Sequence, residues 1–174
     1  MKKTISQEYL KSRLHYESDT GLWTWLRKIE LTQWDESWNT RWAGKQAGAV
    51  VLGYIEIGID GENYKAHRLA WIYMTDEQPP EFIDHENYDR GDCRWLNLRE
   101  ASKSQNMYNM EKTKKNSSGY KGVTFDKQTG MWRALITANG VQHCLGRHKN
   151  ILAAHEAYKK AALKYHGEFA RIGQ

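Results

Sequence analysis

An aspartate and a histidine stand side by side at 84 and 85, directly after Ile83, in the stretch IDHENYDRGDCRWLNLREASKSQNMYN. A polar, turn-rich segment follows over residues 86–94, and a helix-like run beyond it carries Asn97, Asn106 and Asn109. Aspartate and asparagine oxygens suit a hard divalent cation. A histidine with a near-neutral pKa can take a proton from water. An acid, an imidazole and amides that meet in space are the groups that metal-assisted hydrolysis of a phosphodiester requires. Spacing constrains how they meet. Asn97 and Asn106 are nine residues apart, or two and a half turns at about 3.6 residues each, so one unbroken helix would put them on opposite faces. Asn97 therefore belongs at or before the helix start. An Asp-His pair alone is ordinarily an exposed turn, so the surrounding stretches carry the weight.

Several elements must position these residues. Residues 6–14 read as a short helix with Ser6 as N-cap and Tyr9, Leu10 and Leu14 on one stripe. A turn at 15–21 leads into a short strand at 22–25. Trp34, Trp38 and Trp42 are four apart, which one helical face explains, and packing in a core or lid suits them better than base stacking. Residues 48–59 alternate in part, and Asp60-Gly61 signals a hairpin. A helix is expected from His67 to Met74, ended by Pro79-Pro80, which forces an extended entry towards Ile83. His67 itself reads as structural.

Four stretches in order carry a resemblance: AHRLAW at 66–71, IDH at 83–85, NLREAS at 97–102 and QNMYN at 105–109. In this arrangement the chain resembles the HNH endonucleases, in particular the phage homing-endonuclease branch. The resemblance implies a ββα-metal (His-Me finger) module over 46–110, with two antiparallel strands, an Ω-like loop and a helix around one metal ion. Carried over by position, Asp84 and Asn106 would hold one divalent ion, Mg²⁺ or Mn²⁺, and His85 would be the general base. Asn97 would steady the His-bearing loop. Relatives usually carry Asp-Gly shortly after the histidine and Asp-Asn-Arg later; here Asn87-Tyr88 and Asp92-Cys93-Arg94 stand there.

Residues 111–119, EKTKKNSSG, are charged and short of apolar groups, and a basic linker is assigned to 111–118. Its Lys112, Lys114 and Lys115 could grip phosphates. Beyond it, three strands punctuated by Thr129-Gly130 and Asn139-Gly140 precede an Ala-rich amphipathic helix, with Leu152, His155 or Glu156, Lys159 and Leu163 marking its spacing and Ala154, Ala157, Tyr158, Ala161, Ala162 and Tyr165 for packing, since alanine lets a helix lie close against a sheet. Lys121-Gly122-Val123, Trp132-Arg133-Ala134, Leu145-Gly146, Ala157-Tyr158 and His166-Gly167 make 119–174 resemble the APETALA2/ethylene-response-factor DNA-binding domain. That resemblance implies a sheet lying in the major groove with the helix bracing its back. Strand alternation then turns Trp132, Ala134 and Ile136 to the helix and Arg133, Leu135 and Thr137 to DNA. Lys121, Thr124 and Gln142 are the other matched contacts, with Arg133 suited to guanine and Gln142 to adenine.

Composition narrows the rest. Two cysteines, Cys93 and Cys144, are too few for a disulfide framework or a four-Cys zinc ribbon, so no structural zinc is expected. Free thiols fit a reducing cytoplasm. No apolar run approaches the roughly 18 residues of a membrane span, so a membrane is not an expected partner. Residues 1–110 hold 14 Lys/Arg against 17 Asp/Glu, a net −3, while 111–174 hold 12 against 4, a net +8. Affinity for a phosphate backbone is thus concentrated towards the C-terminus, although a solvated basic surface would show the same balance. The expectation is an α+β protein: an N-terminal helical, Trp-rich segment (1–45), the nuclease module, the linker, and a three-stranded antiparallel sheet packed on one helix. It would be a homing-type endonuclease cutting double-stranded DNA, a monomer in solution or a dimer on DNA. The alternative is an inactive DNA-binding or regulatory protein that keeps the HNH fold.

Overall fold

The computed structural model describes residues 4–29, 32–110 and 116–172. Lys112, Lys114 and Lys115, with most of the expected linker, lie outside the described residues. The chain divides into two compact units, Met1–Glu100 and Ala101–Gln174, and the described residues mix helices with four small sheets.

The first unit opens with helix α1, Gln7–Arg13, capped by Ser6, whose hydroxyl accepts from the Tyr9 N–H. Strand β1 (Leu14–Tyr16) pairs antiparallel with β2 (Trp23–Trp25). Helix α2, Gln33–Trp42, carries the four-spaced tryptophans, but they do not form one packed face. Trp38 meets Trp25 edge-on at 5.3 Å and has Arg13 and Lys28 over its ring, whereas Trp34 is 78% exposed. Regular helical spacing alone does not say which side of a helix finds a partner.

Strands β3 (Ala49–Val51), β4 (Tyr54–Ile59) and β5 (Glu62–Lys65) form an antiparallel sheet in that order. The β4–β5 turn holds Asp60 and Gly61 at φ 52° and 83°, the left-handed pair that a two-residue hairpin needs. Helix α3, Ala66–Thr75, ends at Asp76 in the left-handed region, three residues before Pro79. The prolines are therefore not its stop signal; Arg68 holds their carbonyls instead, at 2.9 Å for Pro80 and 3.3 Å for Pro79. Strand β6, Phe82–His85, pairs with β7, Leu98–Ala101, across the 86–94 loop and a 3₁₀ turn at Trp95–Asn97.

One apolar core runs through this unit. Leu10, Leu14 and Trp23 from the N-terminal segment bury with Ile57, Leu69, Ile83 and Cys93. Leu10, Leu14 and Trp23, in the segment that the sequence division sets apart, thus share the core of the strand that carries Asp84 and His85.

The second unit begins with helix α4, Lys103–Asn109, closed by a capping box between Ser102 and Gln105. The run carrying Asn97, Asn106 and Asn109 is therefore not continuous helix, because a 3₁₀ turn and β7 intervene between Asn97 and α4. Strands β8 (Val123–Asp126), β9 (Met131–Ala138) and β10 (Val141–His148) form an antiparallel sheet ordered β10-β9-β8. Helix α5, Ile151–His166, packs on it. The buried face of α5 is Ala154, His155, Tyr158, Ala161, Ala162 and His166, while Leu152 and Leu163 are exposed. The alanines on that face, read in the sequence as packing residues, let the helix approach the sheet closely. Gly122 shows how closely: at φ 69°, a Cβ there would lie 2.2 Å from the Tyr158 ring.

Candidate active site

Asp84 and His85 end β6, both buried. The Asp84 carboxylate accepts from Arg99, with Nε at 3.0 Å and Nη2 at 2.9 Å from Oδ2. Burial pulls the His85 pKa below the usual imidazole value; Asp84, Asp89 and Asp92 oppose that shift and Arg90 adds to it. A histidine biased to its neutral form is a proton acceptor.

Asn97 ties the loop that follows. Its Oδ1 accepts from the Asn87 N–H at 2.9 Å, its Nδ2 donates to the Asp92 carbonyl at 2.8 Å, and its own carbonyl accepts from the Glu86 N–H at 2.9 Å. One buried amide thus grips both ends of the 86–94 segment. Inside the loop the Asp92 carboxylate accepts from Arg94 and from Asn87 Nδ2, and the Arg94 guanidinium leads the causes that hold its pKa down. Burial pushes the Cys93 thiol up to about 12, so it is not a nucleophile.

The N-terminal segment contributes to this loop, which sequence reasoning missed. Tyr16 Oη donates to the Cys93 carbonyl at 2.6 Å, and the Trp95 N–H donates to the Ser18 carbonyl at 2.9 Å. Gly21, at φ 73°, leaves no room for a Cβ, which would fall 2.5 Å from Arg94 N. Only the Gly after Asp19-Thr20 hinted at so close an approach. Arg99 was missed too, because a lone arginine in NLRE reads as surface.

His67, expected to be structural, is buried with its ring 4.9 Å from that of His85 and nearly perpendicular to it. Burial lowers its pKa to about 3, so it stays neutral at ordinary pH. Tyr54 lies beside both rings, at 5.4 Å and 6.2 Å.

Asp84, His85 and Asn97 belong to the first unit; Asn106, half-buried on α4, belongs to the second. Among the described residues no three His, Cys, Asp or Glu side chains cluster to hold an ion. A carboxylate such as that of Asp84 is a donor type that suits a hard cation whose shell is completed largely by water and substrate oxygens.

On the second unit's sheet, Thr124 lies opposite Arg133 and Gln142 opposite Thr137. Ala134, Ile136 and Ala138, on the other face of β9, are buried, so those four side chains share the face away from α5. Lys121, matched above as a DNA contact, is engaged within its own unit. Its Nζ donates to the Tyr108 and Met110 carbonyls at 2.6 and 2.7 Å, capping the C-terminal end of α4, and burial lowers its pKa to about 8. Tyr108 stacks on His166 at 3.7 Å and accepts from the Asn139 N–H. A cavity of about 460 Å³ lies there, lined by Met107, Tyr108, Lys121, Leu135 and Gln142 among others.

Comparison with known proteins defines the class. A family model described as HNH endonuclease matches residues 64–108, the span from β5 to α4. An HNH endonuclease domain is a nuclease, a hydrolase acting on DNA, and such nucleases generally use a divalent metal ion. Protein 3.8 of Escherichia phage T7 is 36% identical over 113 residues, which cover 63% of this chain and 93% of that protein. The chain belongs to the family of that phage protein. APETALA2-like protein 2 of Oryza sativa subsp. indica is 45% identical over 56 residues, 32% of this chain and 13% of the plant protein. AP2-like ethylene-responsive transcription factor TOE2 of Arabidopsis thaliana matches to the same extent, over 12% of its length. No solved structure matches. Among the described residues no helix is long and apolar enough to cross a membrane.

Proposed function

We propose that this chain is a homing-type, site-specific DNA endonuclease that hydrolyses phosphodiester bonds with His85 as general base. The observation that carries the reading is the grip of Asn97 on both ends of the loop after His85. It fixes the strand end on which an imidazole biased to neutrality sits. His85 accepts a proton from water, the water oxygen bonds to phosphorus, and the bond to the 3′ oxygen breaks, that oxygen taking a proton from solvent water, to leave 5′-phosphate and 3′-hydroxyl ends. Asp84 and Asn106 would hold one divalent ion, Mg²⁺ or Mn²⁺, which when bound neutralises charge developing on the phosphate. The sheet face of Thr124, Arg133, Thr137 and Gln142 would meet double-stranded DNA, with Lys112, Lys114 and Lys115 on the backbone. One site per chain suits a monomer that nicks, with two copies needed to cut both strands together.

The ion pair between Asp84 and Arg99 favours a second reading, a DNA-binding protein that no longer cuts, because a cation must compete with that guanidinium. Incubation with long phage DNA, with Mg²⁺ or Mn²⁺ and with chelator, separates the two. Metal-dependent cutting to ligatable 5′-phosphate ends supports the endonuclease. Tight, salt-sensitive binding without cutting under either metal supports the second reading and sinks the first.

A further inference from the structure

Two cations on the Tyr54 ring have no part in the reading above. Lys65, at the entrance to α3, places Nζ 4.0 Å from the centre of the Tyr54 ring. Arg90, exposed in the 86–94 loop, places its guanidinium 5.2 Å from the same centre. The two charges are thus at most 9.2 Å apart, the sum of those distances, and the ring they share lies 6.2 Å from that of His85.

The surroundings make this gathering informative. Arg94 is taken by Asp92 and Arg99 by Asp84. Neither Lys65 nor Arg90 forms an ion pair with a carboxylate among the described residues. Asp84 and Asp92 are paired with those two arginines, but Asp89, which also acts on His85 electrostatically, has no ion pair among the described residues, so an approaching phosphate meets its repulsion unless cations stand in its path. An aromatic face orients two like charges without neutralising either, and leaves both able to bind an anion.

We infer that Lys65 and Arg90, both held on the Tyr54 ring, form a clamp for backbone phosphates of the DNA strand presented to His85. This inference rests on the endonuclease reading for its strand and its proximity to the chemistry. Arginine supplies a planar fork for two phosphate oxygens and lysine a single mobile charge, so the pair suits neighbouring phosphates of one strand.

The test uses the full chain with Lys65→Met and Arg90→Met, which keep an apolar stem on the ring and remove the charge, and with Lys65→Arg and Arg90→Lys, which keep the charge. Binding to a linear duplex fragment is read in chelator across a salt series, so that no cutting is needed. Each methionine variant should flatten the slope of log affinity against log salt by about one, as removal of one phosphate-binding cation does. In plasmid nicking with Mn²⁺, KM should rise about tenfold and kcat much less, while the charge-keeping variants stay near wild type and all melt alike. Unchanged slope and KM in both methionine variants would overturn the clamp, as would equal losses in the charge-keeping variants. A wild type that binds but never nicks sinks the endonuclease reading alone, and the salt slope still decides the clamp.

Discussion

At the residue scale the account turns on Asn97 and His67. The nine residues from Asn97 to Asn106 exclude a shared helix face, which was legible in the spacing alone. The structure puts Asn97 in the 3₁₀ turn before β7, with its side-chain amide hydrogen-bonded to both Asn87 and Asp92 of the loop. Asn97→Ala leaves the Asn87 N–H and the Asp92 carbonyl without their side-chain partner. We expect a loss of about 1–3 kcal/mol in urea unfolding and a fall in cleavage rate of roughly a hundredfold from the loosened loop. A variant that cuts at the wild-type rate would remove Asn97 from the mechanism. His67 predicts a pH effect. Its folded pKa is about 3 against an ordinary 6.5, so below pH 6.5 the unfolded chain binds a proton that the folded chain refuses. That stability is complete above pH 6.5 and is lost as pH falls towards 3, by about 1.4 kcal/mol per unit for this one site. Urea unfolding at pH 7 and pH 5 should show a smaller acid loss in His67→Leu than in wild type; equal losses would contradict its buried neutrality. Arg99 was not legible in sequence, because its carboxylate partner is fifteen residues away across a strand pair.

At the scale of elements, periodicity and turn chemistry were the readable signals. The Ser6 cap, the Asp60-Gly61 hairpin and the Asn139-Gly140 turn all follow from local backbone preference, which needs no tertiary partner. Sequence settles the buried face only in part: Ala154, Tyr158, Ala161 and Ala162 are legible as packing residues of α5, whereas the buried His166 is not. Helix α5 buries alanines, Tyr158 and two histidines and leaves its leucines in water, because the sheet demands close approach more than apolar bulk. The turn at 17–21 is the other case. Its glycine matters through its closeness to Cys93 and Arg94, more than seventy residues later in the chain. Gly21→Ala combines a left-handed backbone with a clash against that loop. It should destabilise the first unit by about 1–3 kcal/mol and slow cleavage, whereas Gly44→Ala, where nothing lies within 4 Å, carries only the backbone strain. Melting and nicking assays on the two variants check this, and equal effects on both would dismiss the brace.

At the scale of the whole molecule, charge is the readable property, with −3 on residues 1–110 and +8 on 111–174. Replacing Lys112, Lys114 and Lys115 together by glutamine should flatten the salt slope of DNA binding by about three, one for each phosphate no longer neutralised. An unchanged slope would take the linker off the backbone. The division into units was less legible. A motif read as ending at Asn109 meets a boundary between Glu100 and Ala101, since α4 finds its partners in Lys121, Asn139 and His166. Apolar pattern shows that a helix exists and not which sheet or helix will hold it. Through all three scales one claim stands at the centre, that the imidazole at 85 takes the proton in a hydrolysis these strands are built to position. Nicking of supercoiled plasmid by wild type and His85→Ala, both with Mn²⁺, tests it most directly. The account predicts a loss of at least about a thousandfold with DNA affinity kept; a variant that nicks as fast as wild type would contradict it.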